Sequence, residues 1–229
     1  MTTYHSRKQI CNPHRLLLLV TLCTSLLLQG CSIIGVRTTE ETPYTVITQD
    51  KNIEIRRYAS VMAVETYVAE NDFQEATNVA FRRLFNYISG DNIATNEISM
   101  TAPVIAEPKS PENKQEIAMT SPVIATQRGS KESGWTLKFV LPQTFTANSA
   151  PSPTDPLVKL VELPEKTVAA IRYSGLWDDE RFESRSEALS SWLRNNAYTS
   201  VSEASYAGYD PPWALPFLRR NEVLIDVLP

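Results

Sequence analysis

The chain has 229 residues, 22 Lys and Arg against 26 Asp and Glu, three Cys and two His. Both histidines (His5, His14) and two of the cysteines (Cys11, Cys23) lie in the first thirty residues, so the body after Cys31 holds neither residue type. That excludes Ser-His-Asp and Cys-His nucleophile pairs, imidazole bases, and zinc sites built from His and Cys.

At the start, Arg7, Lys8 and Arg15 precede an apolar run of about 14 residues from Leu16, closed by Gly30-Cys31. A basic region, a short apolar region and a small residue at the break are the parts of a secretory signal. The run is shorter than the roughly 20 apolar residues that span a bilayer. Leu28-Gln29-Gly30-Cys31 resembles the lipobox of bacterial lipoproteins, in which the Cys is lipidated and becomes the new N-terminus; an ordinary signal with an incidental Cys is the alternative. Two or more acyl chains on Cys31 would anchor the protein stably. By the same resemblance, Ser32 rather than Asp after the Cys favours the outer membrane of the envelope. Without residues 1–30, which carry three basic and no acidic residues, the net charge is −7. A mildly acidic surface of this kind argues against nucleic acid as a partner. Cys31 alone leaves no internal disulfide.

Residues 32–43 (SIIGVRTTEETP) read as a polar tether, and structure is expected from Tyr44. YTVIT, NIEIRRY and SVMAVETYV are rich in β-branched and aromatic residues and predict strands. Asp72 begins a helix as N-cap, with Glu75 placed to reach back. Phe73, Ala76, Ala80, Phe81, Leu84, Phe85 and Ile88 are spaced along one apolar face, and Gly90-Asp91-Asn92 stops the helix. Ser99–Ala106 (SMTAPVIA) and Ala118–Ala125 (AMTSPVIA) then say nearly the same thing twice. Each carries a mid-segment Pro, which belongs at a sheet edge or a bulge. A paired, bulged hairpin with Met100 and Met119 as core fillers is one reading; strands that line a cleft and present the two thioethers to a ligand is the other. LVKLVEL and KTVAAIRY predict two more strands, Asp178 to Asn196 a second helix with Trp192 in the core, and VSEASYAGY and NEVLIDVL the last two strands. Residues 60–67 can be laid on 166–173, and 73–85 on 182–194, which sets Phe73 on Phe182 and Leu84 on Leu193. Strand-strand-helix-strand-strand thus occurs twice, an internal duplication within an α+β chain.

The doubled Met-Thr-x-Pro-Val carries a family resemblance, together with Ile53-Glu-Ile-Arg-Arg-Tyr58, Trp135-Thr-Leu-Lys-Phe-Val-Leu-Pro142, Gly208-Tyr-Asp-Pro-Pro-Trp213 and Arg219-Arg-Asn-Glu222. With these motifs in this order, the chain from Tyr44 onward resembles the SOUL haem-binding protein family. The resemblance implies a distorted antiparallel β-barrel of about eight strands flanked by two helices, spanning residues 44–229. It also implies a haem or related tetrapyrrole site in an open hydrophobic groove between the first helix and a loop near the C-terminus. Carried onto this chain, the groove is Asn78, Phe81, Arg82 and Phe85 on the helix with Tyr206, Tyr209 and Trp213 on the loop. Phe81 and Trp213 would stack on the porphyrin and Arg82 would pair a propionate. Asn78 and Asn86 stand where basic residues are expected in haem-binding relatives, which leaves Arg82 and Arg83 as the local cations. With no His, the axial ligands that remain are Tyr206, Tyr209, Met100 or Met119; otherwise haem is held without one, and weakly.

Each of these residues also has a plainer role. Phe81 and Phe85 suit a core, Arg82-Arg83 a solvated helix face, Tyr209-Asp-Pro-Pro a rigid turn, and Asp178-Asp179-Glu180 a helix start. The leading expectation is a non-enzymatic, lipid-anchored envelope protein that carries or buffers a tetrapyrrole or similar amphiphile. The alternatives are an envelope protein-interaction module that uses the spacer between the repeats and residues 147–156 as contact loops, or an enzyme working through Glu97 or Glu116.

Overall fold

Runs of apolar and β-branched side chains in Ile53–Tyr58, Val61–Val68 and Lys166–Tyr173 call for buried strands. The computed structural model, which describes residues 39–94, 114–127, 134–211 and 213–228, forms them there. In chain order the strands are β1 Glu40–Glu41, β2 Tyr44–Asp50, β3 Ile53–Tyr58, β4 Val61–Val68, β5 Asn92–Ile93, β6 Thr120–Ser121, β7 Val123–Gln127, β8 Trp135–Val140, β9 Ser152–Pro153, β10 Val158–Leu163, β11 Lys166–Tyr173, β12 Ser205–Gly208 and β13 Asn221–Val227. The helices are α1 Phe73–Ile88 and α2 Asp179–Asn195.

Nine strands make one antiparallel sheet in the order β10-β4-β8-β7-β12-β13-β11-β3-β2, curled into a half-barrel. The α+β architecture with two flanking helices is therefore as the sequence predicts. Helix α1 packs on β4, β8 and β10, and α2 on β11 and β13. Both lie on one face, because the register line Ala125, Tyr206, Val223, Ile171, Ile53 runs across five strands and belongs wholly to the helix-side cores. The opposite face carries a third cluster of Tyr58, Val168, Ala170, Ala207, Tyr209 and Leu224.

The duplication is visible in the strand order. One half consists of β3, β4, α1, β7 and β8, the other of β10, β11, α2, β12 and β13. Exchanging corresponding strands reverses the order β10-β4-β8-β7-β12-β13-β11-β3 into itself. The first strand of each half is swapped: β3 pairs with β11 and β10 pairs with β4. The overlaid phenylalanines meet at the pseudo-symmetry axis, where Phe73 and Phe182 stack on either side of Tyr206 at 4.6 and 3.6 Å between ring centroids. Leu84 and Leu193, the other overlaid pair, are both fully buried.

Local signals set the helix ends with one substitution of partner. The Asp72 carboxylate accepts from the Glu75 N–H at 2.8 Å. Glu70, not Glu75, accepts from the Asp72 N–H (3.1 Å) and from that of Asn71 (2.7 Å). Asp178 caps α2 by accepting from the Arg181 N–H at 2.9 Å, so the acidic run there is a helix start. Gly90 just beyond α1 has φ +111°, a conformation that favours Gly.

Two expectations change. Val123–Gln127, the strand after the Pro of the second Met-Thr-x-Pro-Val segment, is not half of a hairpin with the first repeat. Pro122, after a cis peptide bond, separates β6 from β7; β6 pairs in parallel with β1, and β7 has both edges taken by β8 and β12. The Pro stands at the point where the chain passes from one sheet to another, where its missing N–H costs no ladder bond. The second repeat and Trp135–Val140 thus supply the last two strands of the first half; Ser99–Ala106, with Met100, lies outside the described residues. The tether also ends early: β1 pairs Glu40 with Thr120 and Glu41 with Ser121, three residues before Tyr44.

Candidate functional site

Helix α1 buries Phe73, Ala76, Ala80, Leu84, Tyr87 and Ile88. Asn78, Phe81, Arg82 and Phe85 follow the i, i+3, i+4, i+7 spacing of a neighbouring stripe. Asn78 and Arg82 are exposed and Phe81 is half-buried. Phe85, a large apolar ring, is 47% exposed. Phe81 and Phe85 are stacked with nearly parallel planes, 12° apart with centroids at 6.0 Å, and Phe81 meets Phe139 of β8 edge-on at 5.1 Å. Arg83 turns away and donates to the Tyr67 carbonyl at 3.3 Å, so Arg82 is the cation of this stripe.

The loop residues assigned to the same groove separate into three environments. Tyr206 is core: its ring is fully buried between Phe73 and Phe182, and its hydroxyl donates to the Asp178 carbonyl at 2.9 Å. Burial, then the negative charge of Asp179, pushes its pKa well above the usual phenol value. Tyr209 lies on the other face of the sheet and donates to Glu222 at 2.8 Å; burial and the Glu222 charge likewise push it up. Both tyrosines stay protonated and hydrogen-bonded, so neither offers the phenolate that an iron ligand requires, which corrects that expectation. Trp213 is 67% exposed. Met119 is half-buried against the core that includes Ile88 and Ile117.

Tyr209 belongs instead to a buried ion cluster that sequence reasoning missed. Glu222 on β13, with no exposed surface, accepts from Arg56 (2.6 and 2.9 Å), from Arg220 (2.9 Å) and from Tyr209. Arg56 also pairs with Glu54 at 2.7 Å and lies 4.3 Å from the Tyr44 ring centroid; Arg220 pairs with Glu41 at 2.9 Å and lies over the Tyr209 ring. Burial alone would raise the Glu222 pKa, but hydrogen bonds and charge from Arg56, then Arg220, outweigh it and hold the carboxyl below its ordinary value. Residues of three recognised motifs, around Arg56, Tyr209 and Glu222, converge here. The signal was a Glu placed one position out of phase with Val223 and Ile225, on the same face as Leu224, which called for a buried cationic partner.

The remaining candidates are plain to place. Trp192 is half-buried and donates to Asp50 at 2.8 Å. Glu116 is exposed, whereas Glu97 and Cys31 lie outside the described residues. No group of three or more His, Cys, Asp or Glu is gathered for a metal ion among the described residues. A pocket of about 10 Å³ between Glu40–Pro43, Thr120 and Leu141 has room for a single water.

These features define a duplicated α+β half-barrel that presents an aromatic stripe with a cation on its first helix. The family model described as SOUL heme-binding protein matches residues 39–113 and 108–226, and the chain belongs to that family. It is 26% identical over 170 residues to heme-binding protein 1 of Xenopus tropicalis, covering 74% of this chain and 80% of the relative. With heme-binding protein 2 of Homo sapiens it shares 29% identity over 181 residues, covering 76% and 78% respectively. Among solved structures, the crystal structure of the EcmrR C-terminal domain superposes with a TM-score of 0.52 over 81% of this chain and 98% of that one. At 11% identity this similarity concerns the fold alone.

Proposed function

We propose that the chain is a lipid-anchored envelope protein that holds haem, or a related flat anionic tetrapyrrole or amphiphile, against the outward stripe of α1 for carriage or buffering. The observation that carries this reading is the stacked Phe81–Phe85 pair, half exposed on a helix whose other face is fully packed. Exposing that much aromatic surface has a hydration cost that a bound planar ligand would remove. Membership of a family described by haem binding supports the choice of ligand. Phe81 and Phe85 would take the porphyrin plane and Arg82 would pair one propionate, while Tyr206 and Tyr209, both engaged elsewhere, supply no ligand to the iron. Affinity therefore comes from apolar contact, with weak, exchangeable binding that suits carriage better than redox chemistry. The anchor rests on Leu28-Gln29-Gly30-Cys31 and is checked by the mass of the N-terminal peptide.

The test is a haemin titration of the chain from Ser32 to Pro229, followed through the Soret band. Saturable one-to-one binding is expected, weakened about tenfold or more by Phe81→Asp and less by Arg82→Glu. Diffuse, non-saturating binding, or saturable binding unchanged in Phe81→Asp, would remove the assignment.

A further inference from the structure

Residues 175–177 and 213–218 form two adjoining loops that display Leu176, Trp213, Leu215 and Phe217 at 49%, 67%, 39% and 70% exposure. They are held together: the Gly175 N–H donates to the Pro216 carbonyl at 3.0 Å, and Asn221 donates to the Gly175 carbonyl at 3.0 Å. The Arg219 guanidinium donates to the Ala214 carbonyl at 2.8 Å beneath a short 3-10 turn, Pro216–Leu218, and Ala214 itself is buried. A rigid base with four large apolar side chains outside it is an apolar knuckle rather than a loose loop.

We infer that this knuckle docks into the lipid bilayer. The reasons lie at its base. Arg220, the residue that closes the longer loop, pairs with Glu41 at 2.9 Å, and its N–H donates to Asp210 at the loop's other end at 2.6 Å. The chain therefore enters the folded domain beside the knuckle. Cys31 precedes Thr39 by eight residues, a reach of at most about 29 Å. An anchor at Cys31 keeps this end of the half-barrel next to the membrane surface. Trp, Phe and Leu are the side chains that settle at the boundary between headgroups and acyl chains. The inference rests on the anchored reading for its orientation. It moves Trp213 from the haem groove to the membrane face.

The test uses the full chain, processed in cells and reconstituted into vesicles of phosphatidylethanolamine and phosphatidylglycerol, with Phe217→Cys labelled by an environment-sensitive dye. Val201→Cys is the control: Val201 is 56% exposed, and its N–H bonds Asp226 near the end of β13 remote from Arg220. A blue shift and quenching by acyl-brominated lipids at 217 and not at 201 is the expected result. In the chain from Ser32 to Pro229, which carries no acyl chain, Trp213→Ala should weaken residual vesicle binding about tenfold. A dye at 217 that stays in water while mass spectrometry finds acyl chains on Cys31 would overturn the docking and leave the anchor. Lipid quenching at 217 without acyl chains would keep the docking and overturn the anchor. A response to haemin or to protein concentration without lipid would overturn the docking in favour of the groove or of a second copy.

Discussion

Glu222 is where a single residue governs most. Its carboxylate holds two guanidiniums and a phenol in a space closed to water, so removing its charge leaves two buried cations each with only a half-buried carboxylate at the cluster's edge, Glu54 and Glu41. Glu222→Gln is expected to lower stability by about 3–5 kcal/mol in chemical denaturation. The pH dependence follows from the lowered pKa: this stabilisation is complete above the unfolded value of about 4.3 and is lost as pH falls through the lower folded value. Glu222→Gln should therefore flatten the acid limb of the stability curve; an unchanged acid limb would mean that other carboxylates control it. The sequence marked Tyr209 and Arg220 through their motifs but could not show that they turn inward to the same carboxylate. Tyr206 and Tyr209 are three residues apart on and beside β12, and that odd spacing sends them to opposite faces of the sheet.

At the scale of elements, caps and periodicity were legible because they act within four or five residues. Asp72→Ala removes the bond to the Glu75 N–H and should cost about 1 kcal/mol, measured by thermal or denaturant unfolding. Its counterpart Asp178→Ala should cost more, since that side chain also pairs with Arg181 at 2.7 Å. The Pro-containing repeat was read correctly as a place where a ladder cannot continue, but its strand β7 pairs with β8 and β12 and not within a hairpin of the two repeats. Nothing local tells β7 that its neighbours will be β8 and β12. The outward stripe of α1 was legible as helical spacing, but which side of the helix the sheet would cover was decided by β4, β8 and β10.

For the whole molecule the exchange of β3 and β10 has a direct consequence. Each half lends its first strand to the other, so neither can complete its sheet alone. Cutting the chain between the exposed Ala147 and Asn148 should yield two fragments that are largely unfolded by circular dichroism when separate and regain structure when mixed. A fragment that folds by itself would show that the swap is dispensable. The buried cluster crosses the same divide, joining Arg56 of one half to Glu222 of the other over 166 positions.

By itself the sequence determined the helices and their caps, most strands, the duplication, the acidic body without His, and the family. These depend on composition and on patterns that repeat within a few residues. Only the tertiary structure decided that Tyr206 is core, that Tyr209 serves a carboxylate, that Phe85 stays outside, and that the knuckle and the chain's entry share one end. Those outcomes depend on pairings between residues far apart in the chain, where the side of a sheet a residue occupies is set by register and by what packs on it.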